Sequence, residues 1–92
     1  MNKRGKKARN TAVKNELGMH ARPAARIAQM AEEAQDKVWL CVDGSKVDAT
    51  SIIDILTLCA VKGTQVLIEI ENEADTAVLD QIVDYFEDGF GE

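Results

Sequence analysis

The chain has 92 residues, one histidine, one proline and a 46% hydrophobic fraction, which fits one globular domain and excludes a chain too polar to form a core. No run of about 18 apolar residues is present to cross a membrane, and the basic start lacks the apolar stretch of a signal peptide. The net charge of −5 is uneven: residues 1–15 hold six basic residues and no acid, while 16–92 form an acidic body that repels nucleic acid and anionic lipid.

Residues 1–7 read as a basic, solubilising tail ahead of a domain spanning 8–92. Nucleic-acid binding led by that tail is the rival reading, to be judged by salt-sensitive binding that disappears with residues 1–9. Thr11-Ala12-Val13 is a short first strand by composition. A loop over 15–20 follows, loosened by Gly18. Residues 21–35 read as a helix, because Ala24, Ile27, Ala28, Ala31 and Ala34 recur at spacings of three and four.

Residues 37–43 alternate as a strand, with Val38, Leu40 and Val42 on one face and Trp39 and Cys41 on the other. Asp43-Gly44 is a two-residue hairpin signal, and Lys46-Val47-Asp48 is its return strand. Residues 51–60 read as a short apolar helix opened by a capping box, Ser51 with Asp54. Val66, Ile68 and Ile70 mark another alternating strand. A last helix over about 75–87 buries Val78, Leu79, Ile82, Val83 and Phe86 and stops at Gly89. The order β-α-β-β-α-β-α predicts an α+β open-faced sandwich: a four-stranded antiparallel sheet with three helices on one face.

Cys41 and Cys59 lie in apolar stretches whose spacing matches no zinc pattern. They read as buried or half-buried reduced thiols, with a disulfide or redox pair as the alternative.

The chemistry concentrates in Gly18-Met19-His20-Ala21-Arg22-Pro23-Ala24. Proline is tolerated in the first turn of a helix, so His20 and Arg22 fall at a helix N-terminus. Free N–H groups and the helix dipole favour an anion there. An imidazole and a guanidinium at that spot suit a phosphoryl group. Read locally, His20 is as consistent with a cap or surface residue. No hydrolytic-triad pattern, phosphate-binding glycine loop or second histidine accompanies it.

The segment Gly18–Ala24 resembles the active-site signature of the histidine-containing phosphocarrier protein family, HPr, of the bacterial phosphoenolpyruvate-dependent phosphotransferase system. Asp48-Ala49-Thr50-Ser51-Ile52-Ile53 resembles the family's second signature, and Ala60-Val61-Lys62-Gly63 its Ala-Lys-Gly segment. The likeness runs over residues 8–92, and the strand and helix order is also the family's.

The resemblance implies a cytoplasmic, monomeric carrier without cofactor or metal. His20 would accept the phosphoryl group on Nδ1 from enzyme I and pass it to an IIA protein or domain. Arg22 would hold the phosphoryl oxygens through a charge-assisted bond. Ser51 matches the position that an HPr kinase/phosphorylase modifies in some bacteria; its plain alternative is a helix N-cap. Ile52, Ile53 and Leu56 would form an apolar partner dock flanked by Arg22 and Arg26, unless all three are core.

Leu17 and Asp54 depart from the sugar-transport pattern. Asn15–His20 and the ending Phe86–Phe90 are more similar to the nitrogen-related paralogue, NPr. The alternative function is therefore an NPr-type or regulatory binding protein that controls metabolism or transcription rather than sugar import.

Overall fold

Apolar alternation builds the sheet. In this computed structural model, which describes residues 7–92, the strands are β1 (Lys7–Ala12), β2 (Val38–Val42), β3 (Ser45–Asp48) and β4 (Gln65–Ile70). The basic segment 1–6 lies outside the described residues. Lys7 already belongs to β1, opposite Ile70. The sheet is antiparallel in the order β1-β4-β2-β3, so β4 is hydrogen-bonded on both edges.

Three helices cover one face: α1 (Ala21–Glu32), α2 (Ile52–Thr57) and α3 (Thr76–Glu87). This is the α+β open-faced sandwich expected from the order of elements. Val38, Leu40, Val42, Val66, Ile68 and Ile70 turn inward and are buried against Ile27, Ile55, Leu79, Ile82 and Phe86. Removing each of these large side chains from water contributes about 2 kcal/mol. Trp39 and Cys41 point to the uncovered face, where Trp39 Nε1 donates to Glu71 Oε2 at 2.8 Å.

The Asp43-Gly44 turn forms as the dipeptide suggests. Both residues have positive φ, 50° and 83°, the geometry whose twist matches that of paired strands.

Several boundaries and burials differ from the expectations; in α3, Val78 and Val83 are half-buried at the edge of the core rather than buried. The first strand is β1 over Lys7–Ala12, displaced from Thr11–Val13, because it follows the register of β4. Helix α1 ends at Glu32 rather than 35: the N–H groups of Glu33 and Ala34 bond three residues back. Those of Gln35 and Asp36 then turn to the buried Asp75 carboxylate at 2.8 and 3.1 Å. Helix α2 covers only 52–57, because Leu58 and Cys59 also bond three residues back and Cys59 takes a φ of 51°. That turn leaves Cys59 exposed, not buried or half-buried; Cys41 is half-buried, and both thiols are free.

Two loops meet at the end of the sheet. Val13 N–H donates to Thr64 O at 3.0 Å, Gly63 N–H to Val13 O at 2.7 Å, and Met19 N–H to Ala60 O at 2.8 Å. Gly18 has a φ of +71°, and a Cβ there would stand 2.9 Å from Ala60 O. Only glycine allows both the left-handed turn and this approach. The pairing of loops sets the position of His20, two residues on.

Candidate active site

His20 is the N-cap of α1, with extended backbone (φ −143°, ψ −174°). Its carbonyl accepts the first helical bond, from Ala24 N–H at 3.0 Å, but its side chain makes no cap bond. The ring therefore plays no part in capping the helix it begins. Pro23 lies in the first turn, as its spacing from His20 implies, and the structure buries it. Helical geometry leaves the first-turn N–H groups without partners in the helix.

Glu92 meets this end of α1. Its Oε2 lies 2.6 Å from His20 Nε2 and 2.7 Å from Arg22 Nη2. Its Oε1 accepts from Asn15 Nδ2 at 2.8 Å, and the same amide nitrogen donates to Gly18 O at 2.9 Å. Two oxygen acceptors face that atom of Asn15, which fixes the amide's orientation. Asn15 is buried, while the His20 side chain remains one-third exposed. Hydrogen bonds from Asn15 first and His20 second, with the charge of Arg22 added, hold the Glu92 carboxyl below its ordinary range.

Glu92 reaches the site through a tight turn. Gly89, Phe90 and Gly91 all have positive φ, and Phe90 is buried with its ring 4.9 Å from Phe86 and 5.1 Å from Tyr85. The aromatic anchor brings the chain back across α1. Arg22 and Arg26 line a shallow depression there with Gln29, Tyr85 and Phe90.

Sequence reasoning placed His20 and Arg22 together, and the structure joins them through one carboxylate oxygen. It overlooked Asn15 and Glu92. Asn15 carried a weak signal as a polar residue beside a loop glycine. Glu92 carried only the Gly-Phe-Gly run before it, which marks a turn without giving its target.

Ser51 caps α2, its Oγ accepting from Asp54 N–H at 3.2 Å. Ile52, Ile53 and Leu56 are exposed, Ile53 by 75%, whereas Ile55 between them is fully buried. The helix thus presents an apolar outer side in addition to its core contact. Leu17 and Val61 are exposed too, on the two loops that meet beside His20. Among the described residues no group of three His, Cys, Asp or Glu side chains is arranged to hold a metal ion. No helix among them is long and apolar enough to cross a membrane.

The family model for the HPr component phosphorylation site of the phosphotransferase system matches residues 7–88. The chain belongs to the HPr family. Phosphocarrier protein HPr of Neisseria meningitidis serogroup A is 37% identical over 79 residues, covering 82% of this chain and 89% of the relative. Phosphocarrier protein NPr of Proteus mirabilis is 36% identical over 85 residues, covering 91% and 94%. The crystal structure of HPr-C-His from Thermoanaerobacter tengcongensis superposes with a TM-score of 0.86 at 35% identity, covering 94% of this chain and 97% of that one. The HPr-family chain is thus a phosphocarrier of the phosphotransferase system, a carrier rather than a catalyst, and its partners are proteins of that system.

Proposed function

We propose that His20 accepts a phosphoryl group from enzyme I and passes it to an IIA protein or domain in the cytoplasm. The observation that carries this reading is the His20 ring: it stands at the start of α1, takes no part in capping, keeps one-third of its surface exposed and lies beside Arg22. Once phosphorylated, the ring places negative charge next to a guanidinium and a helix N-terminus, both of which favour it. Among the described residues the ring is left one-third exposed, so a second protein has access for onward transfer. The hold must also stay modest, because a phosphoryl group bound too well in the ground state is passed on slowly.

Incubation with phosphoenolpyruvate and enzyme I tests the reading. Acid-labile phosphate is expected on the wild-type chain and not on His20→Ala. Equal labelling of that variant overturns the assignment.

Ile52, Ile53 and Leu56 supply the partner dock, with Arg22 and Arg26 contributing charge. Their exposure supports this, since an apolar side chain standing in water gains from a partner that covers it. Ser51 is the proposed site of an HPr kinase/phosphorylase. Its half-buried hydroxyl now serves as the α2 cap, and a phosphate there would replace that cap and place charge beside Asp54.

An NPr-type regulatory role is the second reading. It is favoured by exposed Leu17 next to the site and by the match to the Proteus mirabilis NPr over nearly the whole chain. Transfer rates to a sugar-specific and a nitrogen-related IIA protein separate the two.

A further inference from the structure

Glu92 contacts the reacting ring, yet neither the family model, which matches residues 7–88, nor the chemistry proposed above uses it. The contact has a definite sense. A carboxylate only accepts hydrogen bonds, so the ring nitrogen 2.6 Å from Oε2 must be the one that carries a proton. That nitrogen is Nε2. In a neutral imidazole with a proton on Nε2, the lone pair is on Nδ1.

We infer that Glu92 is a positioning residue that holds His20 in the Nε2–H form and so presents Nδ1 as the nucleophilic nitrogen. Three features support a built arrangement. Asn15, buried and also tied to Gly18 O, fixes the other carboxylate oxygen. Phe90, anchored on Phe86 and Tyr85, fixes the chain that carries Glu92. Among the described residues, the hydrogen bonding of the ring runs to Glu92 through Nε2 and leaves Nδ1 clear.

In the transfer step, the Nδ1 lone pair forms the bond to phosphorus. The bond from phosphorus to the donor breaks, and its electron pair stays with the donor. The proton on Nε2 does not move. The ring gains positive charge, which the Glu92 carboxylate offsets. Onward transfer reverses these changes. Arg22 uses one terminal nitrogen on Glu92 and keeps other N–H donors for the phosphoryl oxygens.

The inference rests on His20 being the acceptor, and the two can fail separately. The test uses the full chain with nitrogen-15 in the imidazole. In the wild type, the ring should carry its proton on Nε2, seen as a downfield resonance protected from exchange. Glu92→Ala should lose that protection and slow phosphorylation by enzyme I at least about tenfold, in line with carboxylates that orient histidines elsewhere. Glu92→Gln, which keeps an acceptor oxygen, should recover part of the rate, and unchanged circular dichroism of both variants shows that the fold is intact. A wild-type ring protonated on Nδ1, or Glu92→Ala with wild-type rate and unchanged Nε2–H, overturns the inference. Labelling of His20→Ala overturns instead the reading on which it rests.

Discussion

Asn15 Nδ2 donates to Glu92 Oε1 at 2.8 Å, joining residues 77 positions apart. The same nitrogen holds Gly18 O, so one buried amide ties the loop before His20 to the carboxylate that touches His20. Asn15→Ala should therefore affect stability and transfer together. Leaving a buried carbonyl without its donor costs about 1–3 kcal/mol. Denaturant unfolding measures that loss, and the phosphorylation rate should fall in the same variant. Unchanged stability would show that the amide is not holding the loop.

Arg22 should separate function from folding. Its side chain is 64% exposed, and exposed ion pairs contribute little to stability. Arg22→Ala is expected to unfold within about 0.5 kcal/mol of the wild type. Phosphoryl transfer should slow by about ten- to a hundredfold, corresponding to the loss of one charge-assisted contact. A variant transferring at the wild-type rate would remove Arg22 from the site.

Gly18→Ala should destabilise the chain by about 1–3 kcal/mol. The methyl group would meet the Ala60 carbonyl at 2.9 Å on a backbone already at a φ of +71°. Because both obstacles are backbone features, rotation of a side chain cannot relieve them. Thermal unfolding gives the measurement.

Asp48 gives a pH dependence of defined sign. Its carboxyl is pulled from 3.8 to about 2, chiefly by Lys37 Nζ at 2.8 Å and then by the hydroxyl and N–H of Thr50. A folded pKa below the unfolded one adds stability above pH 4 and loses it as the pH falls towards 2. Because Lys37 stands largely in solvent, which screens the pair, the full contribution is about 1 kcal/mol. Urea unfolding of wild type and Asp48→Asn should differ at pH 6 and converge near pH 2. A gap that stays constant over this range would contradict the assignment.

Ile53→Ser should weaken partner binding while leaving the fold unchanged, since Ile53 is exposed and lies outside the core. A loss of about 1–2 kcal/mol on a docked apolar contact is a roughly five- to thirtyfold rise in Kd. Titration with enzyme I reads it. Ile55→Ser, at the fully buried neighbour, should instead unfold the chain.

Much of the fold was legible because its signals are local. Alternation in 38–42 and 66–70 identified the inward faces of β2 and β4, and Asp43-Gly44 identified the hairpin. The ends of α1 and α2 were not legible. Apolar spacing continues past Glu32 and Thr57, while the N–H groups that end each helix are taken by bonds three residues back, and in α1 also by Asp75, forty residues away. The exposure of Cys59 has the same origin: its apolar neighbours suggest burial, but the turn that closes α2 directs it outward.

The sequence by itself determined His20, Arg22 and Pro23 as one constellation at a helix start, because residues so close in the chain are placed by the local backbone. Tertiary structure alone decided that Glu92 stands against Nε2 and that Asn15 holds it there. The positive-φ turn at 89–91 and the burial of Phe90 set the return of the chain, and both depend on packing against α3. No periodicity or short motif records which distant side chain such a turn delivers. The chemistry of the lone histidine therefore depends on a carboxylate 72 positions away that only folding brings within 2.6 Å.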